Sequence, residues 1–414
     1  MKINVIVSIN LLFFLFGCGE YHSRDIAGVI SIEHAFNNVK TLNMSDYFTS
    51  IEYIPLQTFV ESALPEITLF DKDDSNFYLA AERRSSSVAV FDLQGNYVKS
   101  IGNMGRGPGE YTWIGDMFLQ SENTIAVVDN KKMVSYSVDG KWVNDFLFEN
   151  LKGVESLITS VVALCNADEK NYYIIGSKGK DGVEECLFVC DTLNGVIASD
   201  IIGIQHKIER QIPISGMGQM ITANIMVPSH IYTVGGIVKV FNGAADTIYT
   251  ITKENRKSVE YVVDYGKYAS MLNEAKSEGN AFKFDFRVAA NDIIETNSII
   301  LLKVHGNLQS IPAFATVSAD GLPLRTCAIL FDKSTKEILA LSYSPKYSLI
   351  GFYNDIDGGM PFMPSFIKDN AMYAVVDAVK FIACAASSSS VKMKEIAATL
   401  TEESNPVLIK VELK

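Results

Sequence analysis

Histidine is scarce in this chain: five residues in 414, scattered at positions 22, 34, 206, 230 and 305. Tryptophan occurs twice and cysteine six times, with no CxxC spacing. HExxH, GxSxG and a Gly-Lys-Ser/Thr phosphate loop are all missing. The common zinc-protease, serine-hydrolase and nucleotide-loop signatures are therefore excluded. Basic charge is also short, with 36 Lys+Arg against 48 Asp+Glu and a net charge of -12. Neutralising phosphates needs a basic face, so no nucleic-acid partner is expected. Long apolar runs are lacking after residue 16. Apolar residues still make up 48% of the chain, enough for a large core, which excludes bulk disorder.

The first residues read MKINVIVSINLLFFLFGC. Lys2 precedes an apolar run from Ile3 to Phe16, which is short for a membrane span and suits a secretory signal. Leu15-Phe16-Gly17-Cys18 looks like a bacterial lipobox: apolar, then small, then cysteine. This predicts a signal peptide over 1–17, cut before Cys18, and a lipid on the Cys18 thiol. An uncleaved anchor, or an ordinary signal with a chance cysteine, is the alternative. The expected address is the bacterial cell envelope, anchored in the outer membrane. Residues 18–44 read as a polar tether and 45–414 as the folded domain. Of the other five cysteines, Cys186 and Cys190 would share one strand face, too far apart to bridge. All five read as small buried hydrophobes.

Internal repetition is the strongest fold signal. FDLQGNYV at 91–98 recurs as YSVDGKWV at 136–143, 45 residues later. Looser echoes are FVCDTLNGVI at 188–197 and LFDKSTKEI at 330–338. Each has the form strand, tight turn, strand, with an apolar run before the first three. Four strands in about 45 residues is the size of a propeller blade. The predicted fold is all-β: a six-bladed β-propeller of four-stranded antiparallel blades with short helical insertions. A large β-sandwich is the competing arrangement. Residues 267–279 and 391–403 carry the helical patterns. Strand-like residues 50–56 and 406–413 predict a last blade built from both ends of the domain, with the front strand outermost.

The run KSIGNMGRGPGEY at 99–111, with NTIAVVDN at 123–130 and VSYSVDG at 134–140, resembles one NHL-type propeller repeat. The whole chain is similar to six-bladed, NHL- or TolB-like propeller lipoproteins of gut-type anaerobic bacteria. The resemblance rests on the lipobox, IEYIPLQT, GRGPGEY, DTIY at 246–249, DYG at 264–266, YNDIDGG at 353–359 and SNPVLIKVELK. It implies six blades and membrane anchoring and carries no catalytic signature. Residues 210–345 match the repeat poorly.

Two loops hold the candidate ligand contacts. Arg106 and Glu110 either close a tight blade-to-blade turn by pairing or point at a ligand. Asp355 and Asp357 sit two apart, as in calcium loops, but lack the closing acid. They read as a turn or as a rim contact, and no metal is expected. His206, His230 and His305 read as satisfied blade or loop residues, and Arg83-Arg84 as a solvated loop. No catalytic residue and no cofactor is assigned. The expected function is non-catalytic binding or scaffolding in the envelope, with a glycan, peptide or protein partner. The alternative is a propeller-type hydrolase or lyase at the channel mouth, which requires an acid–base set, or metal ligands, to converge there.

Overall fold

The computed structural model describes residues 27–414 apart from 61, 65, 122, 130, 151–156, 167–170, 179–183, 192–194, 205–209, 214–219, 224–228, 243–245, 270–287 and 319–320. Cys18, His22 and His206 lie outside the described residues.

Six sheets follow one another along the chain as blades. Blade 1 holds Leu69–Lys72, Asn76–Ala80, Val88–Asp92 and Tyr97–Ile101. Blade 2 holds Asp116–Ser121, Thr124–Val128, Lys132–Ser137 and Trp142–Leu147. Blade 3 runs from Leu157–Asn166 to Gly195–Ile204, blade 4 from Ser229–Val234 to Lys257–Asp264, and blade 5 from Val288–Glu295 to Ile338–Leu341. Blade 6 takes Phe366–Lys368, Ala371–Val376 and Val407–Leu413 from the end of the chain. Its outermost strand, Phe48–Pro55, comes from the front, with Tyr53 opposite Ile409. The expected closure of the ring is thus found, and it pairs both edges of the domain.

The repeated echo is the hairpin between third and fourth strands, and its chemistry explains its recurrence. In blade 1 the Asp92 carboxylate accepts from Gln94 N and Asn96 N, while Gly95 takes φ +87°. A Cβ on Gly95 would meet Pro55 O at 2.4 Å, so glycine is required there. In blade 2 Ser137 Oγ accepts from Lys141 N, and in blade 5 Asp332 accepts from Ser334 N and Thr335 N. Blade 4 uses Thr252 with Asn255 at φ +59°. A short polar side chain seeds each of these turns and a residue in the left-handed region finishes it.

Blades pack through apolar faces. Tyr78, Val90, Ile101, Ile125 and Val134 join blades 1 and 2, and Phe77, Leu79, Tyr373 and Leu408 join blades 6 and 1. One larger core unites blades 4, 5 and 6. Cys186, Cys190, Cys327 and Cys384 are free and buried. Burial pushes the Cys190 thiol up to about 12, so it behaves as an inert apolar group.

The expectation of a polar tether reaching residue 44 needs correction. From Gly28 onward the chain is folded onto the ring. Gly28–Ser31 pairs in parallel with the outer strand of blade 4, Gly28 facing Tyr261. Helix Ile32–Asn37 follows, capped by Ser31 Oγ, and Val39–Lys40 then pairs in parallel with the outer strand of blade 5. Blades 4 and 5 are therefore five-stranded. The cause is apolar: Ile30, Ile32, Ala35, Phe36 and Met44 are all buried in the large core.

Helices Ala378–Ser387 and Val391–Ala397 both lie between the second and third strands of blade 6. The second is shorter than the predicted 391–403, with Met393 buried as its pattern requires. At 267–279 the described part shows a 3₁₀ turn, Gly266–Tyr268, and a bridge from Ala269 to Val288, and the rest lies outside the described residues.

Candidate functional site

Residues 102–115 connect blade 1 to blade 2 and carry the glycine-rich run. Blade 2 ties this loop down almost atom by atom. Gly109 N donates to Asp145, Tyr136 Oη donates to Gly109 O at 2.6 Å, and Lys132 Nζ donates to Gly107 O and pairs with Asp145 at 2.8 Å. Gly109 has φ +71°, and a Cβ there would meet the Trp142 ring at 2.8 Å. Glu110 turns back on its own loop and accepts from Gly107 N at 2.8 Å. Arg106 is exposed, and no ion pair joins it to Glu110 among the described residues. The expected Arg–Glu contact is replaced by a Glu–backbone contact within the same turn. Beside the loop, Arg83 lies 5.1 Å from the Trp113 ring centroid and Arg84 pairs with Glu66.

Asp355 and Asp357 lie in the connection between blades 5 and 6. Asp355 accepts from Ser45 N at 2.9 Å and from Ser45 Oγ. Burial works against its charge, yet the Ser45 bonds hold it below the usual carboxylate range. Asp357 accepts from Tyr53 Oη, Asn354 Nδ2, Gly359 N and Ser390 Oγ. Burial and the Asp357 charge push the Tyr53 hydroxyl well up, keeping it a donor. Both carboxylates are thus spent on internal partners. Among the described residues, no contact joins this pair to Arg106 or Glu110, and no metal-holding group of His, Cys, Asp and Glu occurs. His230 Nε2 lies 2.9 Å from Asn291 O, and His305 Nδ1 lies 3.3 Å from Thr326 Oγ1.

The structure offers a place the sequence reading missed. A cleft of about 600 Å³ opens where turns 233–235, 295–299 and 367–370 of blades 4, 5 and 6 converge. Asp46, Asn297, Asp332, Asp369, Lys368 and Lys414 give it carboxylates, amides and ammonium groups. Tyr47 adds an aromatic wall. A second cleft of about 460 Å³ shares residues 368–370 and extends the furrow toward Lys72 and Glu52. Ion pairs join blades 6 and 1 beside it: Lys368 to Asp71 at 2.6 Å and Lys72 to Asp369 at 2.7 Å. Nothing in the sequence marks this furrow, because each wall comes from a different blade's turn.

Blade 4 holds one strongly perturbed acid. Burial pushes the Asp246 carboxyl up to about 7, and the Asp264 charge adds to it. The folded value exceeds the ordinary 3.8, so the folded chain keeps a proton that the unfolded chain loses. That stability is present below about pH 4 and is lost as pH rises to about 7. Asp246 sits at φ +53°, which asparagine tolerates. Asp246→Asn is expected to gain about 1–2 kcal/mol at pH 8, after screening at this half-buried site, and nothing at pH 4. Urea unfolding at the two pH values checks this; a gain independent of pH contradicts it.

Comparison with known proteins bears on fold and family. A crystal structure from Bacteroides fragilis NCTC 9343, of a protein described as exported, aligns with TM-score 0.64 at 18% identity, covering 94% of this chain and 99% of that one. A DUF4221-family protein from Bacteroides vulgatus aligns with TM-score 0.46 at 10% identity, over 91% and 98% of the two chains. No curated protein matches the chain. The family model described as a domain of unknown function, DUF4934, matches residues 27–412, and the chain belongs to that family.

Proposed function

We propose that this protein is a lipid-anchored envelope module that binds a hydroxyl-rich ligand, a glycan, without converting it. The polar cleft beneath blades 4, 5 and 6 is the observation that carries this reading. Carboxylates, amides and ammonium groups beside an aromatic wall suit a ligand rich in hydroxyls, which both donates and accepts. The non-catalytic part is supported by Glu110, Asp355 and Asp357, whose carboxylates are already bonded to partners within the fold. Anchoring through Cys18, and residence in the outer membrane, rest on the Leu15-Phe16-Gly17-Cys18 sequence. The likeness to a protein described as exported accords with an envelope address.

Asn297 and Asp46 are exposed in the cleft, so removing either leaves the fold intact. A glycan array followed by calorimetry on the full chain tests the proposal. Binding is expected, and is expected to weaken about tenfold in Asn297→Ala and Asp46→Ala, one lost hydrogen bond each. Binding unchanged in both variants removes the cleft from consideration. Turnover of any bound glycan overturns the non-catalytic reading. Palmitate incorporation that persists in Cys18→Ala overturns the anchor.

A further inference from the structure

The first described residue fixes where the chain leaves the ring. Ala27 N donates to Glu260 O at 2.7 Å, on the outer edge of blade 4. Gly28–Ser31 runs parallel to Lys257–Asp264, with Gly28 facing Tyr261. A parallel partner sets direction: going back along the chain from Gly28 points toward the start of Lys257–Asp264. That end is the turn Thr252-Lys253-Glu254-Asn255-Arg256, which joins the third and fourth strands.

This turn carries a local excess of positive charge. Lys253, Arg256 and Lys257 stand against Glu254 alone, on a chain whose net charge is -12. Lys253 and Arg256 are exposed, while Lys257 lies over the Tyr249 ring at 5.3 Å. Two apolar side chains lie exposed on the same blade: Val29 on the edge strand, 53% exposed, and Ile237 at the other turn on that side, 49% exposed. Ile237 lies level with Thr252 on the turn side, whereas Val29, opposite Val262, lies farther along the edge; cations with an exposed aliphatic group nearby make a surface suited to the headgroup region of a bilayer.

Contour length makes the geometry binding. Nine residue steps separate Cys18 from Ala27, which span at most about 32 Å however they run. A compact body of this size is about 55 Å across. A lipid on Cys18 therefore holds the blade 4 edge within about 32 Å of the membrane, a limit it does not impose on blade 1 across the ring. We infer that the turn-side outer edge of blade 4, centred on Lys253 and Arg256, rests on anionic lipid headgroups. The inference depends on the anchor reading above, and orients the cleft's rim of blades 4 to 6 relative to the bilayer.

The test uses the full lipidated chain in phosphatidylcholine vesicles containing phosphatidylglycerol. A Cys165→Ala background carries one nitroxide, at Glu254→Cys on blade 4 or at Val98→Cys on the outer strand of blade 1. Relaxation by a nickel chelate on lipid headgroups reports proximity. Relaxation is expected to be strong at 254 and weak at 98. Lys253→Glu with Arg256→Glu is expected to lower the 254 signal on the order of tenfold while the protein still floats with the vesicles. Equal relaxation at 254 and 98, or no effect of charge reversal, overturns the orientation alone. Failure of the parent chain to float, or flotation that persists in Cys18→Ala, overturns the anchor and the orientation together.

Discussion

Lys239→Met is expected to destabilise the ring by about 3 kcal/mol in equilibrium urea unfolding, the cost of removing one of the two ammonium partners of a buried carboxylate. Glu295 on the first strand of blade 5 has a fully buried side chain. It accepts from Lys239, from Lys333 at 2.6 Å and from Tyr232 Oη at 2.7 Å. Lys239, itself 5% exposed, also pairs with Glu260 at 2.8 Å. Burial disfavours the Lys239 charge, but its bonds to Glu260 and Glu295 outweigh that and raise its pKa. Methionine keeps the stem's volume and loses the ammonium, so the measured loss isolates the charge. Glu295→Gln keeps the shape and removes the charge that Lys239 neutralises. The double variant is expected to lose less than the sum of the singles by about 1–3 kcal/mol, because both act on one network. A Lys239→Met midpoint equal to that of the parent chain would falsify this account of the blade 4–5 joint.

This network was invisible in the sequence, and the reason is physical. Strand pairing and turn chemistry are local. Asp92 with Gly95, and the matching 136–143 run with Gly140, announce a hairpin within a few residues and repeat it blade after blade. Blade 4 builds the same turn from Thr252 in place of the aspartate and Asn255 in place of the glycine, exchanges that hide the match while keeping the geometry. Contacts between blades have no such period. Lys239 meets Glu295 across 56 positions, and neither residue sits in a motif. The folded strap at 28–44 was partly legible: Ser31 followed by Ile32, Ala35 and Phe36 is a capped amphipathic turn. Its polar neighbours masked it. Glu110 lies in the connection between blades 1 and 2, and Asp355 and Asp357 in that between blades 5 and 6. What the sequence could not say was where their carboxylates point, because the donors for Asp355 and Asp357 include Ser45, Tyr53 and Ser390, far away in the chain.

Asp357→Ala is expected to cost about 2–4 kcal/mol, the second large effect. One oxygen accepts from Tyr53 Oη at 3.1 Å, Asn354 Nδ2 at 2.7 Å and Gly359 N at 3.0 Å, and the other from Ser390 Oγ at 2.6 Å. Tyr53 belongs to the front strand that closes blade 6, and Ser390 caps helix Val391–Ala397 by accepting from Met393 N. The carboxylate therefore joins the closing strand, the blade 5–6 connection and the helix start. Alanine removes the carboxylate that accepts from the Tyr53 hydroxyl and leaves the Asn354 amide nitrogen with Tyr53 Oη alone, in residues only 4% and 1% exposed. Asparagine keeps one acceptor, and Ser390 can reverse to accept from its amide, so Asp357→Asn is expected to cost only about 1 kcal/mol. Millimolar calcium is expected to leave the melting temperature of the parent chain unchanged, since the oxygens a cation needs are occupied. Kinetics separates this latch from ordinary core damage. Pairing Phe48–Pro55 with Val407–Leu413 closes a loop of more than 350 residues, and such non-local contacts form late. Losing the latch should then speed unfolding by most of the stability change and leave the refolding rate nearly constant. A slowed refolding limb would instead place ring closure before the transition state.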